Sequence, residues 1–327
     1  MTYKVLVKIE DGKGINRFMD CEFELKPLTI IMGPPGSGKT TLLRLLFNAI
    51  YRVKNNIKET KDLILIGRNY LTGKLRDGVI SLGIYEDDTE KPPVIDLRIV
   101  SSEAGIEVEP GTPPKKPVFN AVYYIPSDAE TLIKYRFVPP IEPYLEFYHL
   151  IYRLTIIDRI KRNDQLVNEL TFLKNVADNI AISPSRDLIE TTEGAEIDIS
   201  YSSSFAAIIY VLGAMFLNGY FQGNNLILID NIDSYLHPNK GQNYLALMIW
   251  KLVETGATVV LTTHDLLFLN LLTRANCLAK DLGAKVEGID LDKVEIVILE
   301  AWKKCSLIDP RSSWIDTYSE AIKILSC

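Results

Sequence analysis

Apolar and polar positions alternate through "YKVLVKIE" near the N-terminus and again through "CEFEL", the period-two pattern of half-buried β-strands. The next run, "LTIIM", is almost wholly apolar and predicts a strand covered on both faces. The period then changes. From Thr40 to about Val53, apolar residues recur at i, i+3 and i+4, which predicts a helix. Between Leu63 and Val108, strand-like pieces such as "GVISLGIY" and "VIDLRIV" predict an antiparallel flap, closed by the linker-like "EPGTPPKKP". "VFNAVYYIP" predicts a further buried strand. Helical spacing returns from Ile141 to about Ile182, with a break near Asn163-Asp164 that suggests two helices; no heptad array is sustained, so a short arm is expected rather than a long coiled coil. Two more apolar runs, "NLILID" and "ATVVLTT", complete the set of buried strands.

The junction between the third strand and the first helix reads "GPPGSGKTT", which fits G-x-x-x-x-G-K-[ST] in the strand, loop and helix context that a phosphate cradle requires. Gly33, Gly36 and Gly38 let the backbone curl around an anion, and the N–H groups from Gly36 through Ser37 to Thr40 point inward at a helix N-terminus whose dipole favours negative charge. Lys39 reaches the β- and γ-phosphates. Thr40 offers a hydroxyl to Mg²⁺, a hard cation that takes oxygen ligands. Pro34 and Pro35 have no N–H to donate and shape the loop, and Thr41 completes it. Far downstream, "LILID" delivers Asp230 to the C-terminal edge of a buried strand, where open α/β sheets bind ligands, as a direct or outer-sphere Mg²⁺ partner. "VVLTTHD" brings His264 to the same edge, as a sensor of the γ-phosphate. The expected ligands are ATP and Mg²⁺.

Composition narrows the remainder. With 327 residues, 47% of them apolar, the chain has enough material for one large α/β domain with an insertion, or for two domains. No run of eighteen or more uncharged apolar residues and no signal-peptide pattern occurs, so a cytoplasmic protein with no membrane partner is expected. Cys21, Cys277, Cys305 and Cys327 lack C-x-x-C spacing, which argues against zinc or a redox motif and for reduced, buried or incidental thiols. The net charge of −6 supplies no global attraction to nucleic acid.

"GPPGSGKT", "LILIDNIDSYLHP" and "VVLTTHD", in this order, resemble the Walker A, Walker B with D-loop, and switch histidine of ABC-type ATPases. The "LHP" and the lead-in "NRFMDCEFELKPLTIIMG", with Arg17 as a nucleotide contact, are most similar to the soluble SMC, RecF and OLD-like branch. The resemblance implies an α/β, ABC-type P-loop NTPase with a mixed β-sheet core, an antiparallel β subdomain and a short inserted helical arm. It divides the chain into an N-terminal nucleotide-binding lobe (1–135), the arm (136–195) and a C-terminal lobe (196–327). It also implies a head-to-tail homodimer in which each ATP lies between one P-loop and the partner's signature segment. "ISYSSSFAAIIYVLGAMF" occupies the signature position in a degenerate form. There Ser202, Ser203 and Ser204 either meet a γ-phosphate or simply cap a helix.

Two departures bear on mechanism. The strand entering the arm is followed by "YYIPSDAETL", without the family's Q-loop glutamine, and leaves Ser127 or Asp128 as substitutes. The glutamate that polarises water after the Walker B aspartate is replaced by Asn231, an amide that cannot accept a proton at neutral pH. Asp233 is the nearest other carboxylate, at a D-loop position. Slow hydrolysis is therefore expected, with a DNA or protein partner engaged through the arm, where Arg153, Arg159, Lys161 and Arg162 form the only local basic group, and a role in DNA maintenance or defence is one reading. An ATP-gated switch that does not hydrolyse is the alternative. An AAA+ module fits poorly because more than half the chain separates Lys39 from Asp230, and the "LHP" disfavours a transporter subunit. Only Asp265 to Cys327 follow the switch histidine, too little for a Toprim-like nuclease domain.

Overall fold

The computed structural model describes residues 3–10, 20–58, 60–71, 78–86, 91–102, 105–109, 117–135, 138–156, 163–185, 187–192, 194–274, 279–280, 282–285, 290–300 and 303–311. In chain order, strands β1 (Tyr3–Glu10), β2 (Cys21–Leu25) and β3 (Leu28–Met32) lead into helices α1 (Lys39–Asn55) and α2 (Lys61–Leu71). Strands β4 (Gly78–Glu86), β5 (Ile95–Ser102), β6 (Gly105–Glu109) and β7 (Val122–Ile125) follow, then α3 (Ala129–Tyr135), α4 (Glu142–Thr155), α5 (Asp164–Glu169) and α6 (Phe172–Asn179). Short strands β8 (Ile180–Ile182), β9 (Leu188–Thr192) and β10 (Ala195–Asp198) precede α7 (Val211–Leu217). The chain then alternates β11 (Leu226–Asp230), α8 (Asn243–Glu254), β12 (Thr258–Thr263) and α9 (Leu266–Thr273), and closes with β13 (Val294–Ile298) and β14 (Ser306–Ile308).

The central sheet runs β14-β13-β3-β12-β11-β7. All its strands are parallel except β14, which pairs antiparallel with β13 at one edge. Because side chains alternate across a strand, each apolar run feeds two cores. Ile31, Leu228, Val260 and Val297 face α1 and the antiparallel sheet β2-β1-β4-β5-β6. Ile30, Ile227, Ile229, Val259, Leu261 and Ile296 face the other way, onto α3 to α9. The uninterrupted apolar runs in the sequence are thus strands buried on both faces.

Three expectations change. The segment from Leu63 is helix α2, not strand; its Lys61 and Asp62 N–H groups both donate to the Glu142 carboxylate at 3.0 Å, a cap supplied from α4 that local pattern cannot reveal. The helical stretch after Ile141 is three helices that end at Asn179. Phe147, Leu150, Leu154, Leu166, Leu173 and Val176 from these helices lie in the same core as α7 and α8, so α4 to α6 are packed onto the body of the protein. The thiols are also corrected. Cys21 and Cys305 form a disulfide, with Cα atoms 5.1 Å apart, because β2 runs close to β13 and the turn after β13 returns Cys305 to Asp20, whose carbonyl accepts its N–H. Cys277 and Cys327 lie outside the described residues. No helix among the described residues is long and apolar enough to cross a membrane.

Candidate functional site

Strands β3, β12, β11 and β7 are parallel neighbours, so the segments that leave their C-terminal ends converge on one edge. Those segments are Gly33–Lys39, His264, Asn231 and Ser127-Asp128. The loop after β3 is closely built. Gly33 has φ 156°, and a Cβ there would stand 2.2 Å from the Leu299 carbonyl oxygen, so only glycine fits. Gly38 has φ 97° and turns the chain into α1, whose first N–H groups have no partner inside the helix. Pro34 shapes the loop by accepting the Ser37 N–H at 3.1 Å, and Pro35 and Gly36 are exposed. Thr41 is buried within α1.

Lys39 is 9% exposed and folds back on its own loop: Nζ donates to the carbonyls of Gly33 at 2.6 Å and Pro34 at 3.0 Å. Burial lowers its pKa to about 8, against the raising effect of Asp230 and Asp233. The loop carbonyls hold the ammonium where phosphate oxygens would otherwise take it. The Ser37 hydroxyl oxygen is buried with no hydrogen-bond partner.

Asp230 ends β11, 1% exposed, and receives three hydroxyls. Thr40 Oγ1 donates to Oδ1 at 3.0 Å, Thr262 Oγ1 to the same oxygen at 2.8 Å, and Tyr124 OH to Oδ2 at 3.1 Å. Burial raises the Asp230 pKa, and the three hydroxyls oppose that rise. One buried carboxylate beside one hydroxyl is an oxygen donor set that suits Mg²⁺, which takes one or two protein carboxylates and fills its octahedron with waters and phosphate oxygens. Among the described residues, no group of three His, Cys, Asp or Glu side chains could hold a metal by itself. The residues present therefore fit a cation shared with a nucleotide rather than an all-protein cage. Tyr124 and Thr262 escape a motif reading: Tyr124 sits in an apolar strand, and only its buried hydroxyl shows that it needs a partner.

Asn231 has φ 49°, a left-handed conformation that Asn tolerates better than most residues. Its N–H donates to the Thr262 carbonyl at 3.1 Å and to Thr262 Oγ1 at 3.0 Å, and its carbonyl accepts Ser234 Oγ at 2.8 Å. Its side-chain Oδ1 lies 2.8 Å from His264 Nδ1. The structure therefore joins two of the candidate residues directly. Asp233, 1% exposed, accepts Thr263 Oγ1 at 2.7 Å on Oδ2, and its Oδ1 has no partner. Burial raises its pKa to about 7, with Thr263 opposing and Asp265 adding to the rise. Gln242, a residue the motifs do not mark, donates to the Asp265 carboxylate at 2.8 Å and the Asp233 carbonyl at 3.3 Å, and so ties D-loop to switch segment.

The serine cluster divides. Ser202 is buried and its hydroxyl oxygen has no partner; Ser203 is exposed, and its Oγ accepts the Ala206 N–H at 3.2 Å in the manner of a helix cap. Ser204 Oγ donates to Glu130 of α3 at 2.8 Å, and that carboxylate also holds Lys134 at 2.8 Å. Of the Q-loop substitutes, Asp128 hydrogen-bonds Tyr144 of α4, and burial pushes the phenol pKa up. Arg17, Arg159, Lys161 and Arg162 lie outside the described residues.

No protein-family model matches the sequence, and no curated protein matches it either. Among solved structures the chain is similar to an SMC head bound to the C-winged helix domain of ScpA, with a TM-score of 0.51 and 12% identity over 95% of this chain and 98% of that one. The chain has the fold of an SMC head. That is the ABC-type P-loop architecture, in agreement with the resemblance carried by the motifs. An SMC head domain from Thermotoga maritima (TM-score 0.41, 13% identity, 94% of this chain and 97% of that one) is also similar. So is an Smc head domain with an extended coiled coil, bound to the C-terminal domain of ScpA, derived from Pyrococcus furiosus (TM-score 0.45, 10% identity, 100% and 99%). At these identities the likeness is one of fold.

Proposed function

We propose that this chain binds ATP at the sheet edge and closes on a second copy around it, with slow turnover. The observation that carries this reading is the contact of Thr40 Oγ1 with Asp230 Oδ1 at 3.0 Å beside the buried Lys39. Two segments far apart in sequence meet there as one site with a cation for phosphate and two oxygens for Mg²⁺. Thr40 and Asp230 would hold that ion, which supplies neutralisation of phosphate charge. Lys39 leaves the carbonyls of Gly33 and Pro34 for the β- and γ-phosphates, the Ser37 hydroxyl gains a partner, and the exposed Ser203 faces outward to a partner's nucleotide. No carboxylate follows Asp230 directly, so the general-base contribution of roughly 10²–10⁴-fold is reduced and the bound state is long-lived.

A protein partner on the helical segment fits better than DNA. Leu145, Tyr152 and Ile156 on one side of α4 are 37%, 56% and 51% exposed, an apolar stripe that suits a protein surface. An SMC head of the same fold is bound to the winged-helix domain of another protein.

Light scattering with ATP, ADP and no nucleotide, run beside a phosphate-release assay, tests the reading. Dimer with ATP alone and slow phosphate release are expected. Ser203→Arg should keep ATP binding and stay monomeric. Monomeric wild type at saturating ATP, or normal dimerisation of Ser203→Arg, would overturn the composite site.

A further inference from the structure

A second concavity lies away from the sheet edge, where α6, the helical segment that runs into α7 and the start of α8 meet. Its volume is about 80 Å³, several times the roughly 10–15 Å³ that one water needs. The walls are aromatic. Phe172 of α6 stacks flat on Tyr244 of α8, with ring centroids 4.2 Å apart and planes 5° from parallel. Phe205 leans over the same tyrosine at 6.0 Å and meets Tyr210 edge to face at 5.5 Å. Two π-helical turns build the cavity: Ala206–Tyr210, which Phe205 enters, and Pro238–Gln242, which carries Lys240. An i→i+5 turn brings residues five apart nearer to one face than an α-turn does, so Phe205 and Tyr210 both line the space. Such turns are frequent at functional sites.

The polar contribution is small and one-sided. Lys240 and Asn175 line the cavity and are themselves exposed, which puts them at its rim. Among the described lining residues Lys240 alone carries a charge, and its ammonium has no ion-pair partner among the described residues. The turn that carries it is held in place. A Cβ on Gly241 would stand 2.8 Å from that of Leu236, and the Gln242 side chain is bonded to Asp265 and to the Asp233 carbonyl.

We propose that this cavity binds a small aromatic acid, a single ring with a carboxylate on a short tether. The ring enters beside Phe205 and Tyr244 in the offset or edge-on arrangements that aromatic pairs favour. The carboxylate meets the Lys240 ammonium in a charge-assisted hydrogen bond, and the Asn175 amide is a second donor at the rim. A cationic ligand, which ring faces alone would attract, is opposed by the lysine. No lining residue belongs to the edge that carries Thr40 and Asp230, so the proposal stands independently of the ATP reading.

Phenylacetate, 2-phenylethanol and 2-phenylethylamine share a ring and a short tether and differ in charge, and ligand-observed NMR titration of the full chain without nucleotide ranks them. Phenylacetate should bind roughly 2–5-fold more tightly than the alcohol, the gain expected of a solvent-exposed ion pair, and the amine should bind most weakly. Lys240→Gln should bring phenylacetate to the level of the alcohol and leave the alcohol unchanged. Asn175→Trp places an indole across the mouth and should abolish binding of all three. Both substitutions are at exposed positions, and unchanged thermal melts followed by circular dichroism establish that each variant is folded. Absence of saturable phenylacetate binding to wild type overturns the proposal. So does binding that survives Asn175→Trp, which would place the probe elsewhere on the surface. Preference for the amine, or a preference for phenylacetate that persists in Lys240→Gln, overturns the assignment of an acid as the ligand.

Discussion

Breaking the Cys21–Cys305 disulfide should cost a large part of the stability of this domain. The two cysteines are 284 residues apart in sequence, so the bond closes nearly the whole chain into one loop. Cross-linking a loop of that length removes about 5–6 kcal/mol of unfolded-state entropy in the chain-entropy model. Domains of this kind have a total stability of about 5–15 kcal/mol. Cys305→Ala is the cleaner perturbation, because Cys21 is 1% exposed and serine there would bury a hydroxyl. Denaturant unfolding of wild type with and without reductant should give a large fall in midpoint on reduction. Cys305→Ala should match reduced wild type under both conditions, and alkylation with mass analysis should label Cys21 and Cys305 only after reduction. A variant within about 1 kcal/mol of oxidised wild type, with no reductant effect on wild type, would refute the loop-closure argument.

Lys39→Ala should abolish ATP binding, and in wild type the affinity should weaken as pH rises above about 8, where the free-state ammonium loses its proton; isothermal titration across pH 7–9.5 checks both. Asp233 has a folded pKa raised to about 7 from 3.8, so the native state binds more protons and stability should fall as pH rises between these values; Asp233→Asn should flatten that slope in unfolding experiments. Asn231→Glu should speed phosphate release while lowering stability by about 1–2 kcal/mol, because glutamate lacks the ease of Asn in the left-handed region. His264→Ala in that background should erase the gain in a stopped-flow phosphate assay.

The sheet, its two-sided burial and the strand–loop–helix turn from Gly33 to Lys39 were legible because each is local: a run of apolar residues, a change of period, a glycine-lysine spacing. Asp230 and His264 were legible as strand-end residues, and the parallel sheet necessarily brings such ends together. What was not legible depends on neighbours distant in sequence. α2 reads as strand-like because its N-terminal cap, Glu142, comes from another helix. Tyr124 is one tyrosine of several until β7 lies beside β11 and its hydroxyl meets Asp230. The cysteines carry no spacing signal, since β2 and the turn after β13 meet only in the finished fold. Asn231 was visible as a substitution, but its backbone conformation and its contact with His264 were not.

The central sheet also constrains how the chain can be made. Strand β3, which leads into the glycine-rich loop, is flanked by β12 and β13, and these begin only at Thr258 and Val294. On the ribosome, β3 emerges well before either parallel neighbour exists. Until then its two apolar faces and its unpaired edges stay open, the condition under which nascent chains aggregate or engage chaperones. The antiparallel sheet formed by β1, β2, β4, β5 and β6 is complete by Glu109 and can shelter one face of that strand through α1. The other face is covered by α3 to α9, which follow only from Ala129 onward, so refolding from denaturant should be slow and dominated by these long-range pairings.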